Sequence, residues 1–196
     1  AVSAPGEFSV YNAVAAITVC RHYGIDQEII RKALKTIRVP GRVEVIDNDR
    51  GYLLLIDYAH NAMSLKNILE TMRRYHPRQL WVLFGCGGGR SAARRREMGC
   101  VAGKYADFTV ITSDNPRYEE PERIMQTIEE GMKETKGQYQ MMVDRKEAMR
   151  FMLAQGRPGD ILILAGKGHE QYQEIKGDYL PFNERKIAQE ILADLD

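Results

Sequence analysis

Asp114-Asn115-Pro116-Arg117 sets an acid, an amide, a proline and a guanidinium side by side, just after the apolar run Phe108-Thr109-Val110-Ile111. Such a set suits a small zwitterion. A guanidinium can give two parallel hydrogen bonds to a carboxylate, and a carboxylate can accept from an ammonium. The plain alternative is an Asp-Asn-Pro turn with a solvated arginine after it, since turn chemistry alone accounts for most of these residue types.

The pattern recurs. The apolar run 80–84 leads into Gly85-Cys86-Gly87-Gly88-Gly89-Arg90, the run 161–165 into Gly166-Lys167-Gly168-His169-Glu170, and the run 53–56 into Asp57-Tyr58-Ala59-His60-Asn61. Short apolar runs bounded by turn residues predict buried strands. Ligands of an open parallel α/β sheet sit beyond the carboxyl ends of its strands. If these strands are parallel, their polar segments meet along one rim.

The rest of the pattern supplies the elements that would position them. Helices are expected at 9–23 and, capped by Asp26, through Thr36, before Pro40-Gly41 breaks the pattern. Segments 42–47 and 52–56 flank the turn Asn48-Asp49-Arg50-Gly51 and predict a hairpin. Helices at 62–75, 92–105, 121–135 and 144–155 then alternate with strands at 80–84, 107–112, 139–143 and 160–165. A strand-turn-strand over 171–182 and a helix over 183–194 close the chain. This alternation predicts an α/β, Rossmann-like fold, a mostly parallel sheet with helices on both faces. Two helices cannot close a core alone, so residues 1–41 read as the helical tail of another domain plus a hinge, and 42–196 as the α/β domain.

Composition narrows the function classes. A formal net charge of +1 gives no global basic field for nucleic acid. Arg94-Arg95-Arg96 is a local basic spot of the kind usual on solvated helix faces. No apolar run approaches the ~20 residues of a membrane span, and residues 1–6 lack the pattern of a signal peptide. Ala1 in place of methionine fits a segment of a longer polypeptide. Cys20, Cys86 and Cys100 form no Cys-x-x-Cys pair, which fits a reducing cytoplasm rather than a disulfide framework or zinc site. No local signature ties a histidine to Cys86 as a nucleophile.

Two nucleotide signatures fail. The string from Gly99 to Lys104 is one residue short of a phosphate loop, lacks its hydroxyl, and lies in a helical pattern. Arg90 stands where the third glycine of the dinucleotide fingerprint belongs.

Pro40-Gly41-Arg42, Asp57-Tyr58-Ala59-His60, Phe84-Gly85-Cys86-Gly87-Gly88, Asp114-Asn115-Pro116-Arg117 and Ala165-Gly166-Lys167-Gly168-His169-Glu170 occur in one order along nearly the whole chain. In that set and order the sequence resembles the C-terminal part of the Mur ligases, which build the peptide of bacterial cell walls. The resemblance implies an ATP-dependent amide ligase of three domains, in which ATP and Mg2+ are bound mostly by a central domain. A substrate carboxylate is phosphorylated, and the amine of an incoming amino acid attacks the acyl phosphate. Residues 1–41 then correspond to the end of the central domain, and 42–196 to the C-terminal domain that brings the amino acid. With the phosphate loop expected in the central domain, these residues alone are expected not to ligate.

The Asp-Asn-Pro-Arg motif of the family goes with meso-diaminopimelate, and the acceptor is UDP-MurNAc-L-Ala-D-Glu in peptidoglycan synthesis. Lysine has no distal carboxylate for an arginine to grip. The resemblance therefore assigns the distal carboxylate to Arg117, helped by Arg90, and the distal ammonium to Glu170 and the Gly166 carbonyl. Asn115 contributes an amide, Pro116 fixes the bend, and Asp114 orients Arg117. Asp57, His60 and Asn61 correspond to a segment facing the nucleotide, Arg42 to a hinge arginine, and Asn12 to an asparagine beside the adenine. His60 as a satisfied turn residue and Asn12 as a helix-face amide are the plain alternatives. Lys167 and His169 receive no role.

The chain departs from the family where Gly89-Arg90-Ser91 and Arg94-Arg95-Arg96 replace Asp-Arg-Asp and Lys-Arg-Pro, and where Asn61-Ala62-Met63 replaces Thr-Pro-Asp. The competing readings are a ligase of the same family using another amino acid such as L-lysine, a folylpolyglutamate synthase or the ligase adding the D-Ala-D-Ala dipeptide, both opposed by the Asp-Asn-Pro-Arg and Gly-Lys-Gly-His-Glu pair, a non-catalytic amino-acid-binding module, and a nicotinamide oxidoreductase, opposed by the failed fingerprint.

Overall fold

The computed structural model describes residues 7–37 and 39–195. Two helices come first, α1 (Glu7–His22) and α2 (Gln27–Thr36), the second capped by Asp26, whose side chain accepts from the Glu28 N–H at 2.8 Å. Strands β1 (Glu44–Ile46) and β2 (Leu53–Asp57) form the expected hairpin, with Val45 opposite Leu55. Alternation follows: α3 (Ala62–Arg73), β3 (Leu80–Phe84), α4 (Ala92–Tyr105), β4 (Phe108–Thr112), α5 (Pro121–Lys133), β5 (Gln138–Met142), α6 (Arg145–Gln155) and β6 (Ile161–Ala165). A second hairpin, β7 (Tyr172–Ile175) and β8 (Asp178–Pro181), precedes α7 (Glu184–Asp194).

The main sheet runs β1-β2-β6-β3-β4-β5, parallel throughout except for β1. Parallel strands buried on both faces need apolar residues at every position, which is why 80–84 and 161–165 are continuous apolar runs. Alternate residues serve opposite faces. Leu55, Val82, Phe84, Ile111 and Ile163 join one core with α3, α4 and α5. Leu54, Ile56, Trp81, Leu83, Val110, Leu162 and Leu164 join the other with α6 and α7. Helices thus cover both faces, as the alternation predicted.

The main sheet's last strand in sequence, β6, inserts between β2 and β3. The adjacent carboxyl ends of β2, β6, β3 and β4 therefore form one rim. On α1 and α2, Val10, Tyr11, Val14, Val19 and Ile29 are exposed. Among the described residues no helix is long and apolar enough to cross a membrane.

Candidate functional site

The segments after these strand ends line an open cleft of about 120 Å³. Arg90, Asp114, Asn115, Arg117, Gly166 and Glu170 all line it, so six members of the expected amino-acid set come together. Pro116 is buried behind the wall. Tyr58, His60, Gly85, Cys86, Gly87, Arg94 and Arg95 complete the lining.

Glycine brings the walls close. A Cβ on Gly85 would lie 2.3 Å from the Thr112 carbonyl oxygen, and one on Gly88 would lie 2.0 Å from that of Pro116. The glycine loop is therefore a close-packing device between the ends of β3 and β4, consistent with its failed dinucleotide fingerprint. The near phosphate-loop string likewise lies inside α4.

Arg117 is held in an unusual pose. Its φ is +54°, in the left-handed region that costs a non-glycine residue about 1 kcal/mol. The β7–β8 hairpin maintains it: the Arg117 N–H donates to the Glu174 carbonyl at 3.0 Å, and the Lys176 N–H donates to the Arg117 carbonyl at 2.7 Å. Its side chain donates from Nε to Glu174 Oε2 at 3.0 Å and from Nη1 to the Gly88 carbonyl at 2.7 Å. Among the described residues, Nη2 and the second Nη1 hydrogen take no hydrogen bond. Orientation of Arg117 was expected from Asp114. The structure gives that task to Glu174, because the Asp114 carboxylate turns instead to Lys167 at 3.3 Å.

A second wall is built around Glu170. Its Oε1 accepts from the Tyr58 hydroxyl at 3.1 Å, and its Oε2 accepts from Asn115 Nδ2 at 2.9 Å. Burial pushes the Glu170 carboxyl up, but the Asn115 amide, Lys167 and Tyr58 together hold it below its ordinary value. Glu170 is thus an anion at neutral pH. Asn115 Oδ1 in turn accepts from the Glu174 N–H at 3.0 Å. Gly166, with φ +109°, leaves room for Asp114: a Cβ there would meet Asp114 Oδ2 at 3.2 Å.

The glycine loop has an anchor that sequence reasoning missed. Glu119 accepts from Arg95 Nη1 at 2.8 Å, from Arg95 Nη2 at 2.9 Å and from the Gly89 N–H at 2.6 Å. These bonds, from Arg95 first, hold the Glu119 carboxyl down to about 2.

Of the set expected to face a nucleotide, only His60 lines the cleft. Asp57 Oδ2 accepts from the Val43 N–H and Oδ1 from the Ala59 N–H, both at 2.9 Å, so it fixes the segment after Arg42. Burial raises the Asp57 carboxyl pKa against these two bonds and the Arg42 charge. Arg42 is exposed, its guanidinium 4.9 Å above the Tyr58 ring. His60 Nδ1 lies 2.8 Å from the Tyr58 carbonyl; an oxygen that only accepts requires the proton on Nδ1, leaving Nε2 unprotonated in the neutral ring. Asn61 caps α3 by accepting from the Ser64 N–H at 2.9 Å. Asn12 is exposed on α1. Cys86 is buried, which pushes its thiol up to about 12, the reverse of what a nucleophile needs. Among the described residues no group of three or more His, Cys, Asp or Glu could hold a metal ion.

Arg117 and Glu170 thus set a cation and an anion on one cleft at the carboxyl ends of the parallel sheet of an α/β domain. The family model for the Mur ligase, glutamate ligase domain matches residues 41–168, and the chain belongs to the Mur ligase family. UDP-N-acetylmuramoyl-L-alanyl-D-glutamate--2,6-diaminopimelate ligases are similar to it: that of Caldanaerobacter subterraneus is 48% identical over 190 residues, 97% of this chain and 39% of the relative. That of Syntrophomonas wolfei is 46% identical over 189 residues, 95% and 39% of the two chains. The chain spans about 39% of the length of these curated relatives. A solved structure of a ligase with that same name superposes with a TM-score of 0.76 at 36% identity, covering 99% of this chain and 40% of that one. The UDP-N-acetylmuramate-alanine ligase of Thermotoga maritima, TM-score 0.68 at 20% identity over 85% of this chain and 36% of its own, shares the fold.

Proposed function

We propose that this chain is the amino-acid-receiving part of a cytoplasmic ligase that joins meso-diaminopimelate to UDP-MurNAc-L-Ala-D-Glu at the expense of ATP. The observation that carries the reading is the cleft itself. Arg117 points an open guanidinium edge at it, pinned from behind by Glu174 and Gly88, and Glu170 supplies a carboxylate kept ionised. Relatives that carry this ligase's name support the choice of substrate.

In this reading Arg117, with Arg90 beside it, receives the distal carboxylate. Glu170 and the Gly166 carbonyl receive the distal ammonium. Asn115 and Pro116 shape the wall, and Asp114 holds Lys167. Gripping the far end of the ligand leaves its other amine free to meet an activated carboxylate, and fixed placement of that kind is what converts binding into rate. ATP, when bound, supplies the phosphoryl group that activates the acceptor carboxylate. Arg42 and His60 would be the groups of this chain that face it, with Asp57 and Asn61 holding their backbone, and Asn12 on α1 would meet the adenine. The carboxylates here do not fit a magnesium site, so Mg2+ is assigned to the central domain. The exposed apolar side chains of α1 and α2 support their assignment, within residues 1–41, to that central domain.

The test is Arg117→Ala in the full-length enzyme. Losing a charge-assisted pair worth about 1.5–3 kcal/mol should raise KM for meso-diaminopimelate by about 10- to 150-fold while acyl-phosphate formation, followed by isotope exchange, persists. It should also erase the preference over lysine. Unchanged affinity for meso-diaminopimelate would overturn the assignment. The 196-residue chain alone should form no product from ATP, and turnover by it would contradict the domain reading.

A further inference from the structure

Lys167 is a buried charged residue that the proposed function gives no task of its own. Its side chain has no solvent exposure. It follows Gly166 and precedes Gly168, both at positive φ, and this irregular backbone turns its stem inward beneath the cleft. Nζ lies 2.9 Å from Asn115 Oδ1, 3.3 Å from Asp114 Oδ1 and 3.4 Å from Glu170 Oε2. An ammonium has three hydrogens and no acceptor, so these contacts use its whole capacity. The Tyr172 ring, 5.9 Å away, lies on its remaining side.

We infer that Lys167 is a positioning residue for the amino-acid site: it gathers Asp114, Asn115 and Glu170, from two separate strand ends, into one rigid surface that receives the ligand's ammonium. This rests on the reading of the cleft above. A buried cation with complete hydrogen bonding is a costly feature that packing alone does not require, because an apolar side chain would fill the same space. Its bonds have a directional consequence. A carboxylate offers roughly four acceptor sites, and Tyr58, Asn115 and Lys167 occupy three on Glu170, leaving one direction for a ligand N–H. Lys167 also neutralises the repulsion between Asp114 and Glu170.

The groups facing Glu170 are Tyr58 after β2, Asp114 and Asn115 after β4, Lys167 after β6, and Tyr172 on β7, with Arg42 behind Tyr58. Of these, Lys167 is the cation within direct contact. Removing it takes away one of the influences that keep the Glu170 carboxyl below its ordinary value, so that group should gain its proton at higher pH.

The experiment uses Lys167→Met, which keeps the stem and removes the charge, in the full-length enzyme. Expected results are a KM for meso-diaminopimelate raised by about 30-fold with kcat changed far less, and an acid limb of kcat/KM moved to higher pH by about one unit. Carbon NMR of the Glu170 carboxyl, recorded without ligand, should show the same displacement. If Lys167→Met does not fold, Asp114→Asn combined with Lys167→Met removes the uncompensated buried carboxylate as well, and a smaller displacement in the same direction should persist there, because the Asp114 charge that also raised the Glu170 carboxyl is gone. A Glu170 titration that matches wild type in whichever variant folds, or an unchanged KM, would overturn the inference and leave Lys167 a packing residue. Wild-type enzyme that ignores meso-diaminopimelate would instead count against the proposed function, and the ligand-free titration would still decide the role of Lys167.

Discussion

Arg117 and Glu174 meet through Nε and Oε2 at 3.0 Å although 57 positions separate them in the chain. The same two residues are joined through the backbone, N–H to carbonyl, at 3.0 Å. The β7 strand thus holds both the pose and the aim of the proposed carboxylate grip. Glu174→Gln keeps the shape and removes the charge. It should lower affinity for meso-diaminopimelate by about 10-fold, as loss of a charge-assisted bond implies, with little change for lysine. Comparing KM for the two amino acids checks it, and an equal effect on both would place Glu174 outside recognition.

Gly88 is where the glycine loop and the 113–117 segment touch most closely. Gly88→Ala sets a Cβ 2.0 Å from the Pro116 carbonyl oxygen, so backbone must move. Overpacking of this kind costs about 1–3 kcal/mol. The displaced atoms adjoin Arg117, so the rise in KM should exceed the fall in kcat. A midpoint from chemical denaturation together with steady-state kinetics reads both effects.

Arg145 underlies the site without touching it. Fully buried, it pairs with Glu184 at 2.8 Å and donates to the Ser113 and Ala165 carbonyls at 3.2 and 2.8 Å, tying the ends of β4 and β6 together. Arg145→Met should cost about 3–5 kcal/mol, because Glu184 is left buried and uncompensated. Burial already raises the Glu184 carboxyl pKa, with Arg145 opposing. Its stabilising share is therefore present below the ordinary carboxylate pKa and lost as pH rises through the folded value. Removing Arg145 raises that folded value further, so the deficit of the variant should be smaller near pH 4 than near pH 8. Adding Glu184→Leu should recover part of the loss. Urea denaturation of single and double variants across pH measures this.

Glu119 predicts a signature in acid. Its folded pKa of about 2 lies below the unfolded value of about 4.3, so its contribution exists above 4.3 and fades as pH falls toward 2. Glu119→Gln should flatten the decline of stability over that window and leave the neutral-to-alkaline profile parallel to wild type. The carboxylate is half exposed, so the effect should shrink in high salt. Identical acid limbs in both proteins would show that the Arg95–Glu119 pair carries no net stability.

Much of this molecule is local. Continuous apolar runs at 80–84 and 161–165, amphipathic stretches between them, and glycine, proline or asparagine at their ends are statements about neighbours in the chain. They suffice for the element order, the two-faced parallel sheet, and the grouping of Arg90, Asp114, Asn115, Arg117, Gly166 and Glu170 on one cleft. Side chains that sit just beyond parallel strand ends have no other place to go.

The partners of those side chains were decided by the tertiary structure. Tyr58 reaches Glu170 across 112 positions, Glu119 reaches back to Arg95, and Lys167, after β6, joins Asp114 and Asn115, after β4, across the intervening β3. These meetings depend on β6 returning to lie between β2 and β3, and on β7 folding down over the Asp-Asn-Pro-Arg turn. Periodicity and turn chemistry specify the elements; which strand ends become neighbours follows from the crossing of the chain, and with it which acid orients which base.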